Sequence, residues 1–322
     1  MKRDFSLGNK MIRTSLTIAA LGVCAAPTFA QELTYGAAGL DYSSISEGSD
    51  DFTTTALDGD VEFAYDQFLF GAKIISQSLD SFGDVTITNV DAFAGYAPMP
   101  ELLLGAGITN INIDSGGTDE SLSGYEVFAQ YRTPTFGGAI VYAVPDTDEE
   151  DFDLTTFYAE VEVVPGMTFG AVVDNLSEVD ENIYNVSADY AQGPIAVRGY
   201  YTGVTDEDLA IYGVRGSYDF GMGFSATGSI GGFDDFFADE ASVFTIGVEY
   251  EFYDGLSIDA SVGRLSVEDE DLDVVQIGLN YELGAPTRLD TKMTNAIRED
   301  RENGVNTLLP DLGIGGAGFG FF

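Results

Sequence analysis

Apolar and polar residues alternate along most of the chain, which is the pattern of β-strands whose two faces meet different surroundings. In segment 57–65 the odd positions are apolar residues or glycine, whereas the even positions include Asp58, Asp60 and Glu62. The same period of two recurs in residues 155–163, 184–190, 244–252 and 275–283. The pattern therefore predicts an all-β fold built from strands with one apolar and one polar face.

Two kinds of connection alternate between these strands. The short connections are built from turn residues: Asp66-Gln67, Pro98-Met99-Pro100, Thr133-Pro134, Pro165-Gly166, Gln192-Gly193-Pro194, Gly221-Met222-Gly223 and Asp254-Gly255. The longer connections are acidic and occupy residues 47–51, 80–84, 114–120, 146–151, 178–181, 206–208, 234–240 and 268–271. Seven turns alternating with eight loops predict sixteen antiparallel strands within residues 31–283.

An aromatic residue marks the strand end before most of the short turns. Before the turns these residues are Tyr65, Tyr96, Tyr131, Tyr190, Tyr218 and Tyr250, with Val163 in the remaining place, and Tyr281 has the equivalent position on the last strand. Tyrosine is enriched at the boundary between lipid and water, so this row favours a transmembrane barrel. Closure removes every strand edge, and sixteen strands enclose an interior too wide for side chains to fill. A soluble β-sandwich or solenoid has the same alternation and is the alternative.

The first thirty residues have the features of a secretory signal peptide. Lys2 and Arg3 begin it, residues 16–26 are apolar, and cleavage is expected after Ala30. Cys24, the only cysteine, leaves with this segment, and the chain has no histidine. Disulfides, thiolate metal sites and histidine-dependent catalysis are therefore excluded. We predict no enzymatic activity, no cofactor and no metal site.

Acidic residues dominate the charge of the chain, which is formally −41. Such a surface argues against nucleic-acid binding, which requires basic residues to displace counterions from phosphate. The strand pattern places these charged residues toward the interior as candidate pore-lining residues: Asp58, Asp60, Glu62, Lys73, Asp91, Glu126, Arg132, Glu160, Glu162, Asp189, Arg198, Arg215 and Glu249. The excess of acid predicts a cation-preferring channel in which Arg198 and Arg215 face acids across the lumen. A solvated wall without graded selectivity is the alternative.

The signal peptide, the sixteen strands, the short turns at one end and the acidic loops at the other resemble the Gram-negative general porins, the alphaproteobacterial kind most of all. Segment 275–283 also resembles the C-terminal assembly signal of such barrels. The resemblance implies a homotrimer in the outer membrane that contacts lipid and lipopolysaccharide. It further implies insertion by the barrel assembly machinery and passive diffusion of small hydrophilic solutes. A non-conducting barrel that serves as an adhesin or envelope structural protein is the alternative function.

Two features depart from that family. The third loop, expected within residues 113–123, is short for one that folds into the barrel as a constriction. The chain also continues beyond the last strand as a tail, residues 284–322. Residues 287–304 of the tail include Arg288 and Lys292 and are expected to form a short polar helix, and the glycine-rich end carries Phe322. The tail is either a periplasmic extension or a lumen-inserted segment that replaces the constriction.

Overall fold

A computed structural model of the chain describes residues 32–47, 50–80, 85–115, 118–146, 153–177, 182–205, 210–234, 241–267 and 270–302. Sixteen antiparallel strands form a closed barrel in which each strand pairs with its neighbours in sequence and β1 pairs with β16. The strands are β1 (Glu32–Glu47), β2 (Asp50–Tyr65), β3 (Phe68–Leu79), β4 (Val85–Met99), β5 (Leu102–Ser115), β6 (Thr118–Arg132), β7 (Phe136–Asp146), β8 (Leu154–Val164), β9 (Met167–Leu176), β10 (Asn182–Gln192), β11 (Ile195–Val204), β12 (Ala210–Gly221), β13 (Phe224–Asp234), β14 (Ala241–Tyr253), β15 (Leu256–Val267) and β16 (Glu270–Gly284).

One helix, α1 (Leu289–Glu302), follows β16 within the described part of the chain. Across the described residues, no helix combines the length and the apolarity needed to cross a bilayer. The predicted signal peptide lies outside the described residues. The architecture confirms the predicted transmembrane antiparallel barrel of sixteen strands.

The strands extend further into the acidic connections than the sequence predicted. Residues 114–120 were expected to form a loop, but β5 continues to Ser115 and β6 begins at Thr118. These two strands remain paired to their ends, with Asp114 opposite Asp119. Acidic composition therefore indicates which residues face water, but it does not mark the end of the hydrogen-bonded ladder.

The short turns bring the backbone of neighbouring hairpins close together at the same end of the barrel. Gly166 and Gly255 adopt left-handed φ angles of 82° and 76°. A Cβ atom on either glycine would collide with a backbone carbonyl of the adjoining hairpin, that of Ala191 or Glu282. The carbonyl of each glycine accepts a hydrogen bond of 2.7 Å from the backbone N–H of the same neighbour. Only glycine combines this backbone conformation with so close an approach.

The outer surface of the barrel carries the predicted row of aromatic residues. The seven tyrosines of this row are between 38% and 50% exposed, and Val163 is 59% exposed. Apolar side chains between this row and the loops are exposed as well, including Val127, Ile246 and Val262. In the described part of the chain, these apolar side chains are not covered by other protein groups. This is the arrangement of the lipid-facing band of a transmembrane barrel.

The inner surface is not uniformly polar. Toward the loop end of the barrel, inward positions of β1, β12 and β14–β16 carry a buried apolar cluster: Ile45, Ile211, Ala241, Val243, Leu265, Leu272 and Val274. A second apolar cluster lies on the inner wall of β3–β9. The charged inner surface that the sequence predicted is therefore interrupted by apolar patches, and the second patch adjoins α1.

Tryptophan substitutions at adjacent positions test which face meets lipid, because the chain contains no tryptophan. Tyr218 is exposed on the outer surface, whereas Ser217 lines the interior. We expect the fluorescence of the Tyr218→Trp variant to be quenched by brominated lipid in reconstituted vesicles. The Ser217→Trp variant should instead be quenched by aqueous iodide. The reverse pattern would contradict the assignment of the faces.

Candidate functional site

The C-terminal arm, residues 285–302, turns from the last strand into the barrel. Gly284 ends β16 with a left-handed φ of 78°, and a Cβ atom there would collide with the backbone of β1. Arg132 then donates a hydrogen bond from Nη1 to the carbonyl of Pro286 at 3.3 Å. Gln130 donates another from Nε2 to the carbonyl of Thr287 at 2.9 Å. Both donors belong to the inner face of β6, so the arm enters the lumen at once.

The start of α1 is anchored by side chains of the barrel wall. Glu62, which is fully buried, accepts hydrogen bonds from the backbone N–H groups of Thr287 at 2.7 Å and Arg288 at 3.5 Å. Gln130 accepts a third from the N–H of Leu289 through Oε1. The first N–H groups of a helix have no partner within the helix, and its N-terminus favours a nearby carboxylate. Strands β2 and β6 therefore supply the helix cap.

One face of α1 packs against the barrel wall. Leu289, Met293 and Ile297 recur every four residues and are 0%, 7% and 2% exposed. Residues with this spacing lie on the same side of a helix. Their partners are inward side chains of the wall: Leu69, Leu103, Phe128, Val141, Tyr158 and Val172. Each fully buried side chain of this size contributes about 1.5–3 kcal/mol, so the apolar face holds the arm in place.

Two glycines of the wall make room for this face. A Cβ atom on Gly137 of β7 would lie 3.0 Å from Cδ2 of Leu289. A Cβ atom on Gly170 of β9 would lie 3.1 Å from Cε of Met293. Both distances are shorter than an ordinary contact of about 3.5–4.0 Å between carbon atoms. The wall and the arm are therefore complementary in shape.

Arg288 forms a buried ionic and aromatic contact between the arm and the wall. Its side chain is 6% exposed and pairs with Glu126 at 2.8 Å and with Asp290. The guanidinium carbon lies 4.5 Å and 4.0 Å from the ring centres of Phe93 and Phe128. Burial alone would lower the pKa of Arg288, but Asp290 and Glu126 raise that pKa above its usual range. The arginine is therefore charged, and its charge is matched by these partners.

The polar side of α1 reaches two separate parts of the inner surface. Lys292 donates a hydrogen bond from Nζ to Glu160 of β8 at 2.5 Å. Glu160 also pairs with Nε of Arg132 at 3.3 Å. On the other side, Lys73 of β3 donates a hydrogen bond from Nζ to Oδ1 of Asn295 at 2.7 Å. The arm thus connects side chains from β8 to β3 across part of the lumen.

An open cavity of about 660 Å³ lies between the arm and the wall formed by β12–β16, β1 and β2. Lys292, Asn295 and Ala296 form its boundary on the arm. Its acidic lining residues are Asp41, Asp58, Glu249, Glu251, Asp259 and Glu282, and its basic lining residues are Arg215 and Lys292. The cavity is therefore strongly acidic. Within the described residues, no group of three or more His, Cys, Asp or Glu side chains has the arrangement of a metal site.

The predicted pore-lining residues fall into three groups. Asp58, Arg215 and Glu249 line the open cavity. The largest group lies beside or against the arm and comprises Asp60, Glu62, Lys73, Asp91, Glu126, Arg132 and Glu160. The third group contains Glu162, Asp189 and Arg198, which make local contacts on the wall. Five of the thirteen predicted residues, Glu62, Lys73, Glu126, Arg132 and Glu160, therefore hold the arm through hydrogen bonds or ion pairs.

The two arginines predicted to act as a pair have different surroundings. Arg198 and Arg215 are direct cross-strand neighbours on β11 and β12. Arg198 forms an ion pair of 2.8 Å with Asp189 on the adjoining strand β10, whereas Arg215 lines the cavity. Glu162 accepts a hydrogen bond of 3.0 Å from the N–H of Gly166 and so stabilises a short turn. Of the predicted pair, Arg215 is thus the residue placed at the cavity.

Several residues of the cavity were not among the predicted set. Asp41 and Asp259 obey the same alternation as the predicted acids, since each lies between outward-facing neighbours. Both pair in register with Gly278 of β16, one from each side, and the glycine leaves space for their carboxylates. Strand alternation alone could have identified Asp41 and Asp259 as inward-facing residues. Their assembly around Gly278 depends on register, which a single strand does not reveal.

The closed barrel, its outward apolar surface and its acidic cavity define the class of outer-membrane channel proteins. A family model described as Gram-negative porin matches residues 138–300, which include β8–β16 and most of α1. The chain belongs to the Gram-negative porin family, as its sequence features predicted. This family and fold are those of non-enzymatic channel proteins.

Solved structures show the same fold at low sequence identity. A variant of Rhodopseudomonas blastica porin is 15% identical, with a TM-score of 0.52 over 79% of this chain and 100% of that one. Pseudomonas aeruginosa OpdK with vanillate is 12% identical, with a TM-score of 0.51 over 77% of this chain and 98% of that one. No curated protein sequence matches this chain. At these identities the structures support the barrel architecture alone.

Proposed function

We propose that this protein is an outer-membrane porin through which small hydrophilic solutes and ions diffuse passively, with a preference for cations. The observation that carries the proposal is the open cavity, whose lining contains six acidic and two basic residues. Charged groups around a pore select ions through their electric field. An acidic lining raises the local concentration of cations and lowers that of anions.

The proposal includes export and assembly in the envelope. Residues 1–30 serve as the signal peptide, and the mature barrel is inserted by the barrel assembly machinery as a homotrimer surrounded by lipid and lipopolysaccharide. Family membership and the sequence of the first thirty residues support this part of the proposal.

Arg264 is one cation near the loop end, but it pairs with Asp271 at 3.2 Å and Asp273 at 3.5 Å. Its charge is therefore offset by protein carboxylates.

A non-conducting barrel that acts as an adhesin or envelope structural protein is the second candidate. The observation in its favour is the arm, which fills part of the lumen and buries the inner wall of β3–β9. The open cavity on the other side of the arm favours the channel instead.

Planar bilayer recordings of the purified full-length protein test both candidates. We expect stepwise conductance increases and, in a tenfold KCl gradient, a reversal potential of the sign produced by K⁺ movement. A potential of the opposite sign would contradict the cation preference. Folded protein that inserts into the bilayer without producing steps would instead support the non-conducting barrel, and detergent buffer without protein is the control.

A further inference from the structure

The arm occupies one side of the lumen and leaves the other side open. Its apolar face is buried against the wall, through Leu289, Met293 and Ile297. A neighbouring side of the helix, with Lys292, Asn295 and Ala296, borders the cavity. An amphipathic helix in this orientation presents a polar surface to the water inside the barrel. The arm thus forms part of the wall of the open cavity.

We propose that the C-terminal arm is the constriction of this channel and that solutes pass between its polar face and the acidic wall of β1, β2, β14 and β15. The inference rests on the proposed porin function and adds the element that sets pore size. Lys292 lies on the arm side of this passage, and Asp41, Asp58 and Asp259 belong to the lining of the same cavity. A passing solute therefore meets Lys292, which is paired with Glu160, on one side and an excess of carboxylates on the other.

The third loop is too short to form the constriction. Only residues 116 and 117 separate β5 from β6. Two residues extend the chain by about 7 Å at most, and this connection must also return to the next strand. The arm, by contrast, has a helix of fourteen residues, which is about 21 Å long. It is therefore long enough to narrow the lumen of a sixteen-stranded barrel.

The anchors of the arm come from strands that are distant in sequence. Glu62 and Gln130 cap the helix, Glu126 pairs with Arg288, and Lys73 binds Asn295. These contacts involve β2, β3 and β6, and Glu160 of β8 binds Lys292. Because ionic, hydrogen-bonding and apolar contacts all favour one position, we infer that the arm stays docked while ions pass.

Cysteine labelling in the full-length chain tests the position of the two faces. With Cys24 replaced by serine, the chain has no other cysteine. In Ala296→Cys, a thiosulfonate reagent carrying a charged group should react and lower the single-channel conductance stepwise. In Met293→Cys, the thiol is expected to be buried and the current unchanged. Equal current responses from both variants, or from neither, would overturn the proposed constriction.

Matched aspartate substitutions test whether the arm limits the current. Met293→Asp places a carboxylate in the apolar contact and should undock the arm, whereas Ala296→Asp places one in the water-filled cavity. We expect Met293→Asp to raise conductance at least about twofold, because a helix with its side chains is about 10 Å across. Ala296→Asp should not raise it to that extent.

The outcomes separate this inference from the proposed function. If the unmodified protein conducts, and either cysteine labelling has no effect on the current or a folded Met293→Asp variant leaves the conductance unchanged, the arm is not the constriction but the porin function remains. If the unmodified protein inserts and does not conduct, the porin function fails, and the constriction fails with it. Should Met293→Asp not fold, the milder Ala296→Cys and Met293→Cys pair decides the question.

Discussion

Replacing Arg288 with methionine is expected to release the C-terminal arm and to raise the single-channel conductance. The substitution keeps much of the side-chain volume but leaves Glu126 on the buried inner wall without its cationic partner. Breaking a buried ion pair by removing one member is unfavourable by about 3–5 kcal/mol. That loss also removes the contacts of the guanidinium with Phe93 and Phe128. Planar bilayer recording measures the conductance, and limited proteolysis measures exposure of the arm.

Two further variants test whether this result is specific to the ion pair of Arg288. Arg264→Met removes another arginine that contacts two acids, but its side chain is 58% exposed, and exposed ion pairs contribute at most about 1 kcal/mol. We expect it to resemble the unmodified protein. Adding Glu126→Gln to Arg288→Met should partly restore the docked arm, because the variant neutralises one of the two carboxylates that paired with Arg288 and leaves only that of Asp290. Identical conductance and proteolysis for Arg288→Met and Arg264→Met would contradict a role of Arg288 in docking.

Neutralising three acids of the cavity is expected to remove most of the cation preference. The variant combines Asp58→Asn, Glu249→Gln and Asp259→Asn, all at the cavity lining. A unit charge at 4 Å in water contributes about 1 kcal/mol, so at low salt the ratio of cation to anion permeability should fall at least about fivefold. Reversal potentials in a KCl gradient measure this ratio. The effect should shrink near 1 M salt, where the Debye length is about 3 Å.

The control variant carries the same change in net charge outside the cavity. It combines Asp66→Asn, Asp219→Asn and Asp254→Asn, three acids located at or beside the short turns. Asparagine tolerates the left-handed φ of 54° at position 66. It can also accept the hydrogen bond that Asp219 receives from the N–H of Gly221. If both triple variants shift the reversal potential equally, the preference arises from overall charge and not from the cavity.

The barrel was largely predictable because its strands follow local rules. A strand that separates lipid from a polar interior must alternate apolar and polar residues, and short turns require residues such as Gly166 and Gly255. Each rule concerns a few consecutive residues, so the number of strands and the positions of the turns could be read directly. The ends of strands at the loop side were less predictable, because pairing between β5 and β6 continues through acidic residues.

The position of the arm was not predictable in the same way. The recurrence of Leu289, Met293 and Ile297 indicates one apolar face of a helix, but a periodic pattern does not identify the surface on which that face packs. The partners of the arm, such as Glu62, Gln130 and Glu160, are more than one hundred residues away in sequence. As single inward polar side chains, these partners have the same pattern as residues that line open water.

The amino-acid sequence by itself determined the class of fold, the number of strands, the outward and inward faces and the acidic character of the interior. These properties follow from residue type and spacing along each strand. Only the tertiary structure decided which inward charges line the open cavity and which ones anchor the arm. That distinction depends on side chains brought together by barrel closure, strand register and the return of residues 285–302 into the lumen.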